Sequence, residues 1–249
     1  MSNRAERLHD LYSDAQKVGS KRSGDIALNV WAEVFGFASK VETDTQALDV
    51  QRMFALTTDE LDKLEGQAMG LGWSTRSREN FLGRARSVLS PRHMNTPWRR
   101  FHQSHLDGSV LQGLSMLSDQ LPDEEVEPSE EEVRDYSDDL KSLRGRLDES
   151  DVTPAFRQFV AGAIDILKAA THSYRVEGVE AFRRARLQME QHVAAFEGTW
   201  NSGETSEEET EIRDSLNTYV DMMMRWADNA DTMYTLAQTG QYLLQAGGG

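Results

Sequence analysis

Seven arginines between residues 76 and 100 give this sequence its clearest candidate for binding chemistry. The same segment holds one acidic residue, Glu79, and no lysine. Arginine suits bidentate contact with phosphate or carboxylate groups, and an aromatic ring among arginines can stack on a nucleobase. The candidate contacts for an anion, a nucleotide or a nucleic acid are Arg76, Arg78, Arg84, Arg86, Arg92, Trp98, Arg99 and Arg100.

Two other roles for these arginines are open. Residues 122–151 hold thirteen acidic and four basic residues, a net charge of −9, so the arginines could pair internally with the acids of 123–139. They could also bind an acidic protein partner. Because an acidic surface repels nucleic-acid backbones, the C-terminal half of the chain is a poor candidate for nucleic-acid binding.

The other potentially reactive residues match no recognisable metal-binding, phosphate-binding or catalytic motif. His102 and His105 could share one helix face, but a zinc site normally has three or four protein ligands. Glu6 and His9 form the one Glu-x-x-His pair, whereas a di-iron bundle needs two. The glycines of 66–72 lack the Lys-Ser/Thr that ends a phosphate-binding loop. We therefore predict no metal, no cofactor and no catalytic residue, with an unrecognised helical active site as an alternative.

The segments that position these residues have apolar residues at helical spacing. A heptad repeat of alternating four- and three-residue steps predicts a long helix over residues 206–244. Its members are Ile212, Leu216, Tyr219, Met223, Trp226, Ala230, Met233 and Ala237. Methionine adapts to irregular partners, so this helix carries our candidate protein interface. That interface comprises Met222, Met223, Met224, Trp226 and Met233.

Further helices are predicted from apolar spacing and from their start signals. Apolar residues predict helices over 23–39 and 45–55. A Ser or Thr followed three residues later by Glu is typical of a capping box, and this pattern predicts helix starts at Thr57, Ser129 and Ser206. The helix after Ser129 has a buried stripe with heptad spacing, formed by Val133, Tyr136, Leu140, Leu143 and Leu147.

These patterns predict an all-α protein. Alternating runs rich in Val, Ile and Thr are missing, which argues against a sheet. We predict an N-terminal helical region at 1–121, an acidic linker at 122–128, a C-terminal antiparallel bundle at 129–246 that includes the long heptad helix, and a flexible tail at 247–249. No apolar stretch suits a membrane span. The chain has no cysteine, so we expect a cytoplasmic protein without membrane contact.

Two stretches carry a resemblance. Residues 25–36 read Asp-Ile-Ala-Leu-Asn-Val-Trp-Ala-Glu-Val-Phe-Gly, and residues 147–196 include Glu-Ser-Asp-Val-Thr-Pro and Tyr-Arg-Val-Glu-Gly-Val-Glu-Ala-Phe-Arg. They resemble a loose group of uncharacterised bacterial all-helical proteins, some of them encoded in mobile-element or phage-defence neighbourhoods. The resemblance implies a helical fold and a bacterial setting, and it carries no site residues to this chain.

We therefore predict a non-enzymatic helical interaction or regulatory protein, with a role in a bacterial defence or mobile-element system as an implication of the resemblance. The expected partner is a protein, a second copy of the chain included. The alternatives are a nucleic-acid or nucleotide binder that uses residues 76–100, and an enzyme.

Overall fold

A computed structural model describes residues 3–37, 39–106, 108–121, 128–196 and 206–228. The described residues form helices and no strand, which confirms the all-α prediction. The chain divides into two compact units. The first unit contains Met1–Glu125 together with Arg175–Gly178, and the second contains Val126–Tyr174 together with Val179–Gly249. None of the helices in the described ranges has the length and hydropathy that a membrane span requires.

The helices of the first unit are short except for the first and third. They are α1 Arg4–Lys21, α2 Ala27–Val34, α3 Asp44–Gly70, α4 Thr75–Arg78, α5 Arg84–Val88, α6 Trp98–His105 and α7 Gly108–Ser118. A π-helical turn, Glu79–Gly83, joins α4 to α5, and a 3-10 turn spans Pro91–His93.

The helices of the second unit are longer. They are α8 Glu130–Glu149, α9 Pro154–Glu177, α10 Glu180–Phe196 and α11 Glu207–Ala227. The last turn of α9, from Arg175, belongs to the first unit. Its Arg175 guanidinium donates to the Asp14 carboxylate (2.5 Å) and to the Val34 carbonyl (2.6 Å). The predicted continuation of α11 to residue 244, with Met233, lies outside the described residues.

Trp31 lies at the centre of the first hydrophobic core. Its ring is 1% exposed, and it contacts Tyr12 edge-on, Phe35 in a stacked geometry and Phe54 edge-on, with centroids 5.5–5.7 Å apart. The Tyr12 hydroxyl donates to the carbonyl of Ala85 at 2.8 Å. Because buried hydroxyls need a partner, this bond fixes α5 against α1.

One predicted helix start is wrong. Thr57 does not cap a new helix, because α3 runs unbroken through it and its hydroxyl donates to the Met53 carbonyl one turn earlier. Glu60 is 1% exposed and pairs with Arg4 (2.6 Å) and Lys63 (2.6 Å). The capping box of this helix lies instead at Thr43.

The second helix is shorter than predicted. Ile26 and Pro97 form an antiparallel bridge, and the neighbouring amides of Ala27 and Leu28 donate to the carbonyls of Thr96 and Met94 at 2.9 Å. Backbone groups that are bonded to another segment cannot also make helical bonds, so α2 begins only at Ala27.

The predicted heptad residues form the core of the second unit. Tyr136, Leu140, Leu143 and Leu147 on α8 are at most 1% exposed. On α11, Ile212, Leu216 and Met223 are at most 3% exposed, and Tyr219 is half-buried. The heptad spacing therefore identified the buried face of α8. On α11 it did so only in part, because Tyr219 and Trp226 are half-buried, whereas Val220 and Ala227, which lie outside the predicted repeat, are at most 2% exposed.

The two capping boxes predicted for this unit have different outcomes. Ser129 and Glu132 form the reciprocal pair at the start of α8. Ser206 caps α11 through the Glu209 amide, but the Glu209 carboxylate accepts from the amide and hydroxyl of Thr153, both at 3.1 Å. Glu209 thus supplies an acceptor at the start of α9, where amides lack helical partners.

We expect Gly19→Ala to destabilise the first unit by about 1–3 kcal/mol, the usual cost of overpacking a core. A Cβ at Gly19 would lie 1.9 Å from two ring atoms of Trp98, which is buried and held in place. Urea denaturation followed by tryptophan fluorescence measures the change in the free energy of unfolding.

Gly66→Ala is the matched control, because a Cβ at Gly66 meets nothing within 4 Å. Within α3 this change should stabilise by about 0.5–1 kcal/mol, since alanine favours the helix. Equal stability changes in the two variants would contradict the close Gly19–Trp98 contact.

Candidate functional site

Three of the seven candidate arginines form ion pairs or a hydrogen bond with other residues of the first unit. Arg86 pairs with Asp62 (2.6 Å) and Glu65 (2.5 Å) on α3, and Arg78 lies 3.6 Å from Glu65. Burial disfavours the charge of Arg86, but hydrogen bonds and attraction from the two carboxylates outweigh burial and raise its pKa. Arg84 donates to the Ser109 hydroxyl at 3.0 Å.

The other four are exposed and form no ion pair with any described residue: Arg76, Arg92, Arg99 and Arg100. Trp98 does not join them at the surface. Its ring is 2% exposed, lies against Gly19 and has its centroid 5.2 Å from that of Phe101. An enclosed indole offers no face to a base, so the expected stacking role of Trp98 is lost. Nucleic-acid binding by the exposed arginines stays a prediction.

The structure describes only one of the two α6 histidine side chains that were considered as metal ligands. His102 lies beside Trp98, with ring centroids 6.3 Å apart, and the side chain of His105 falls outside the described ones. Among the described residues, no cluster of three or more His, Asp or Glu side chains could hold a metal ion.

The methionine segment divides between core and surface. Met223 and Met224 are 0% and 3% exposed and belong to the core of the second unit. Met222 and Trp226 are half-buried, while the fifth predicted interface residue, Met233, lies outside the described residues. Two of the five predicted interface residues are therefore partly accessible in the described structure.

Those two residues line a groove between α8 and α11 of about 340 Å³. Tyr136, Met222 and Trp226 form its apolar floor, and charged side chains form its rims. The lining residues are Glu132, Asp135, Tyr136, Asp139, Met222, Arg225 and Trp226.

The groove exists because α8 and α11 run in opposite directions with large rings between them. The Tyr136 hydroxyl donates to the Tyr219 carbonyl at 3.0 Å, and further along α8 Arg146 donates to the Ser215 hydroxyl at 3.0 Å. The Tyr136 ring lies edge-on to Trp226, with centroids 5.0 Å apart. An edge-on aromatic pair contributes about 0.5–1.5 kcal/mol beyond the area that it buries, so this contact stabilises the packing of α8 against α11.

The two rims differ in charge. Glu132, Asp135 and Asp139 are exposed on the α8 side, and Arg225 is exposed on the α11 side. Asp139 and Arg225 form no ion pair with any residue in the described ranges. Hydrogen bonds from the amide and hydroxyl of Ser129 hold the pKa of Glu132 below its usual range, so this carboxylate stays charged in mildly acidic solution.

Asp139 also influences a neighbouring tyrosine. Burial is the largest cause that raises the pKa of Tyr219, and the negative charge of Asp139 raises it further, while Arg146 acts in the opposite direction. Asp139 is therefore close enough to act on a ring that packs edge-on against Tyr136, with centroids 5.8 Å apart.

Sequence reasoning missed most of this groove. It placed Tyr136 in a buried stripe and Met222 and Trp226 in an interface, but it considered the acids of 123–139 only as possible partners of the arginine-rich segment and did not consider Arg225. A signal was present. Glu132, Asp135 and Asp139 follow the i, i+3, i+7 spacing that places side chains on one helix face, directly beside Tyr136.

We expect Asp139→Asn to lower the pKa of Tyr219, because removing the carboxylate removes a charge that disfavours tyrosinate. NMR titration of protein labelled at the tyrosine ring measures this pKa. Asp138→Asn is the control, since Asp138 is on the same helix but pairs with Lys141 at 2.7 Å. An equal shift in both variants would contradict the described position of Asp139.

No protein-family model, curated protein or solved structure matches this chain. The chemistry of the groove between α8 and α11 is therefore the basis on which a function can be proposed.

Proposed function

We propose that this protein is a non-enzymatic helical binding module and that its groove between α8 and α11 binds a basic segment of a protein partner. The observation that carries the proposal is the partly accessible pair Met222 and Trp226, which lies against the buried ring of Tyr136 and beside the three carboxylates of α8. An accessible apolar centre within a charged, solvated rim is the usual anatomy of a protein interface.

The charges of the rim select the partner. Three carboxylates oppose one guanidinium, and α8 as a whole, Glu130–Glu149, has eight acidic and four basic residues, a net charge of −4. Charge complementarity speeds the encounter and suppresses wrong partners. A basic partner is favoured, whereas a second copy of the chain would bring the same carboxylates together, so homodimerisation through this groove is disfavoured.

The floor supplies the affinity. Partly exposed Trp and Met side chains are typical of interface centres. A role in a bacterial defence or mobile-element system, and a cytoplasmic location, stay predictions that depend on the sequence alone.

A synthetic basic peptide tests this proposal. We expect a labelled peptide of about 20 residues, rich in Lys and Leu, to bind the full chain, and its Glu-for-Lys counterpart to bind far more weakly. Fluorescence anisotropy at low salt should show that Asp135→Asn combined with Asp139→Asn weakens binding about fivefold or more. Affinity for the unaltered protein should fall as salt rises, because exposed charges are screened.

The control removes the same net charge elsewhere. Asp59 and Asp119 are exposed in the first unit, so Asp59→Asn combined with Asp119→Asn should leave peptide binding unchanged. If both double variants lose affinity equally, binding reflects overall charge and not the groove, and the proposal fails.

A further inference from the structure

The carboxylates of the groove have the spacing of a helix. Glu132, Asp135 and Asp139 stand at i, i+3 and i+7 on α8, and at a rise of 1.5 Å per residue they span about 10 Å. The partly exposed residues of α11, Met222 and Trp226, are four residues apart and share a face. Both walls of the groove therefore repeat at helical intervals.

Resting on the proposed function, we propose that the segment bound in this groove is an amphipathic helix with two unlike edges: a basic edge toward α8 and an acidic edge toward Arg225. A helix laid along α8 presents cations at the same i, i+3 or i+4, and i+7 intervals as the three carboxylates. An extended strand repeats on one face about every 7 Å, which matches the intervals of about 4.5 and 6 Å between these carboxylates less well.

The unlike rims also fix the direction of the bound helix. With its apolar face on the floor of Tyr136, Met222 and Trp226, the helix has one edge toward α8 and one toward α11. Reversing its direction exchanges the two edges. The exchange would bring acids to the carboxylates of α8 and bases to Arg225, and each such like-charge contact is unfavourable. Only one of the two directions is therefore compatible with the charges of the groove.

Arg225 is the residue that distinguishes this arrangement from general attraction to basic chains. It is exposed, forms no ion pair within the described ranges, and lines the wall opposite the carboxylates. A uniformly basic helix would place a cation against it, whereas a two-edged helix places a carboxylate there. Arg225 is thus the specificity-determining residue of the proposed site.

Two helical peptides of equal composition test the inference. Both have about 20 residues and the same apolar stripe. The two-edged peptide carries Lys along one edge and Glu along the other, and the mixed-edge peptide distributes Lys and Glu over both edges. Fluorescence anisotropy with the full chain should show that the two-edged peptide binds about tenfold more tightly, because several rim pairs contribute modestly each.

A charge exchange at Arg225 provides a second test of the inference. Arg225→Glu should weaken binding of the two-edged peptide about fivefold, and a peptide with Lys in place of the Glu residues on the α11 edge should recover the affinity on this variant. Arg52→Glu makes the same charge change at an exposed residue of the first unit and should alter neither affinity.

The outcomes separate this inference from the proposed function. If the mixed-edge peptide binds as tightly as the two-edged one, or if Arg225→Glu is not rescued by the exchanged peptide, the two-edged helix is wrong while binding of basic segments stands. If neither these peptides nor the Lys-Leu peptide binds the unaltered chain, the proposed function itself is wrong.

Discussion

Tyr136 and Trp226 pack edge-on with ring centroids 5.0 Å apart, and the second unit depends on this contact. It belongs to a chain of rings in which each member contacts the next: Tyr219, Tyr136, Trp226, Phe182 and Tyr174. These rings come from α8, α9, α10 and α11, so one set of aromatic contacts joins all four helices. Rings of this size bury large areas and prefer defined angles, and the Tyr136 hydroxyl finds its acceptor in the Tyr219 carbonyl. Tyr136 in the floor of the groove is therefore part of the core, and Met222 and Trp226 pack against that core.

Two of the acids beside this floor repel one another along α8. Asp135 and Asp139 are four residues apart on α8, and like charges at this spacing destabilise a helix by about 0.2–0.5 kcal/mol. Glu132 is the exception, because it completes the capping box with Ser129 and lies where the helix dipole favours negative charge. A basic partner would offset the repulsion at the other two positions. The repulsion between Asp135 and Asp139 is therefore a small cost to α8, and Arg134, 3.8 Å from Asp135, offsets part of it.

The sequence predicted those features that depend on local spacing. The stripe of Tyr136, Leu140 and Leu143 was predicted to be buried and is buried, because a heptad period alone determines which face of a helix is apolar. Features that depend on distant residues were beyond sequence reasoning. Thr57 and Glu60 match a capping box as well as Ser129 and Glu132 do, but Arg4 on another helix neutralises Glu60 inside a continuous α3. The groove was missed for the same reason, since spacing within α8 does not reveal that α11 is its neighbour.

The two charged regions of the chain show why charge alone does not identify a site. In the arginine-rich segment, Arg86 is neutralised by Asp62 and Glu65, and the ring that could have stacked on a ligand, Trp98, is enclosed in the core. Arg76, Arg92, Arg99 and Arg100 are exposed without the Trp98 ring that was predicted to act with them. On α8 the carboxylates stay in solvent and line the same groove as the accessible Trp226. Attraction between exposed charges contributes little affinity in water, and apolar contact without charge selects no partner. The α8–α11 groove combines the two, because solvent-exposed carboxylates and the partly accessible Trp226 line the same surface.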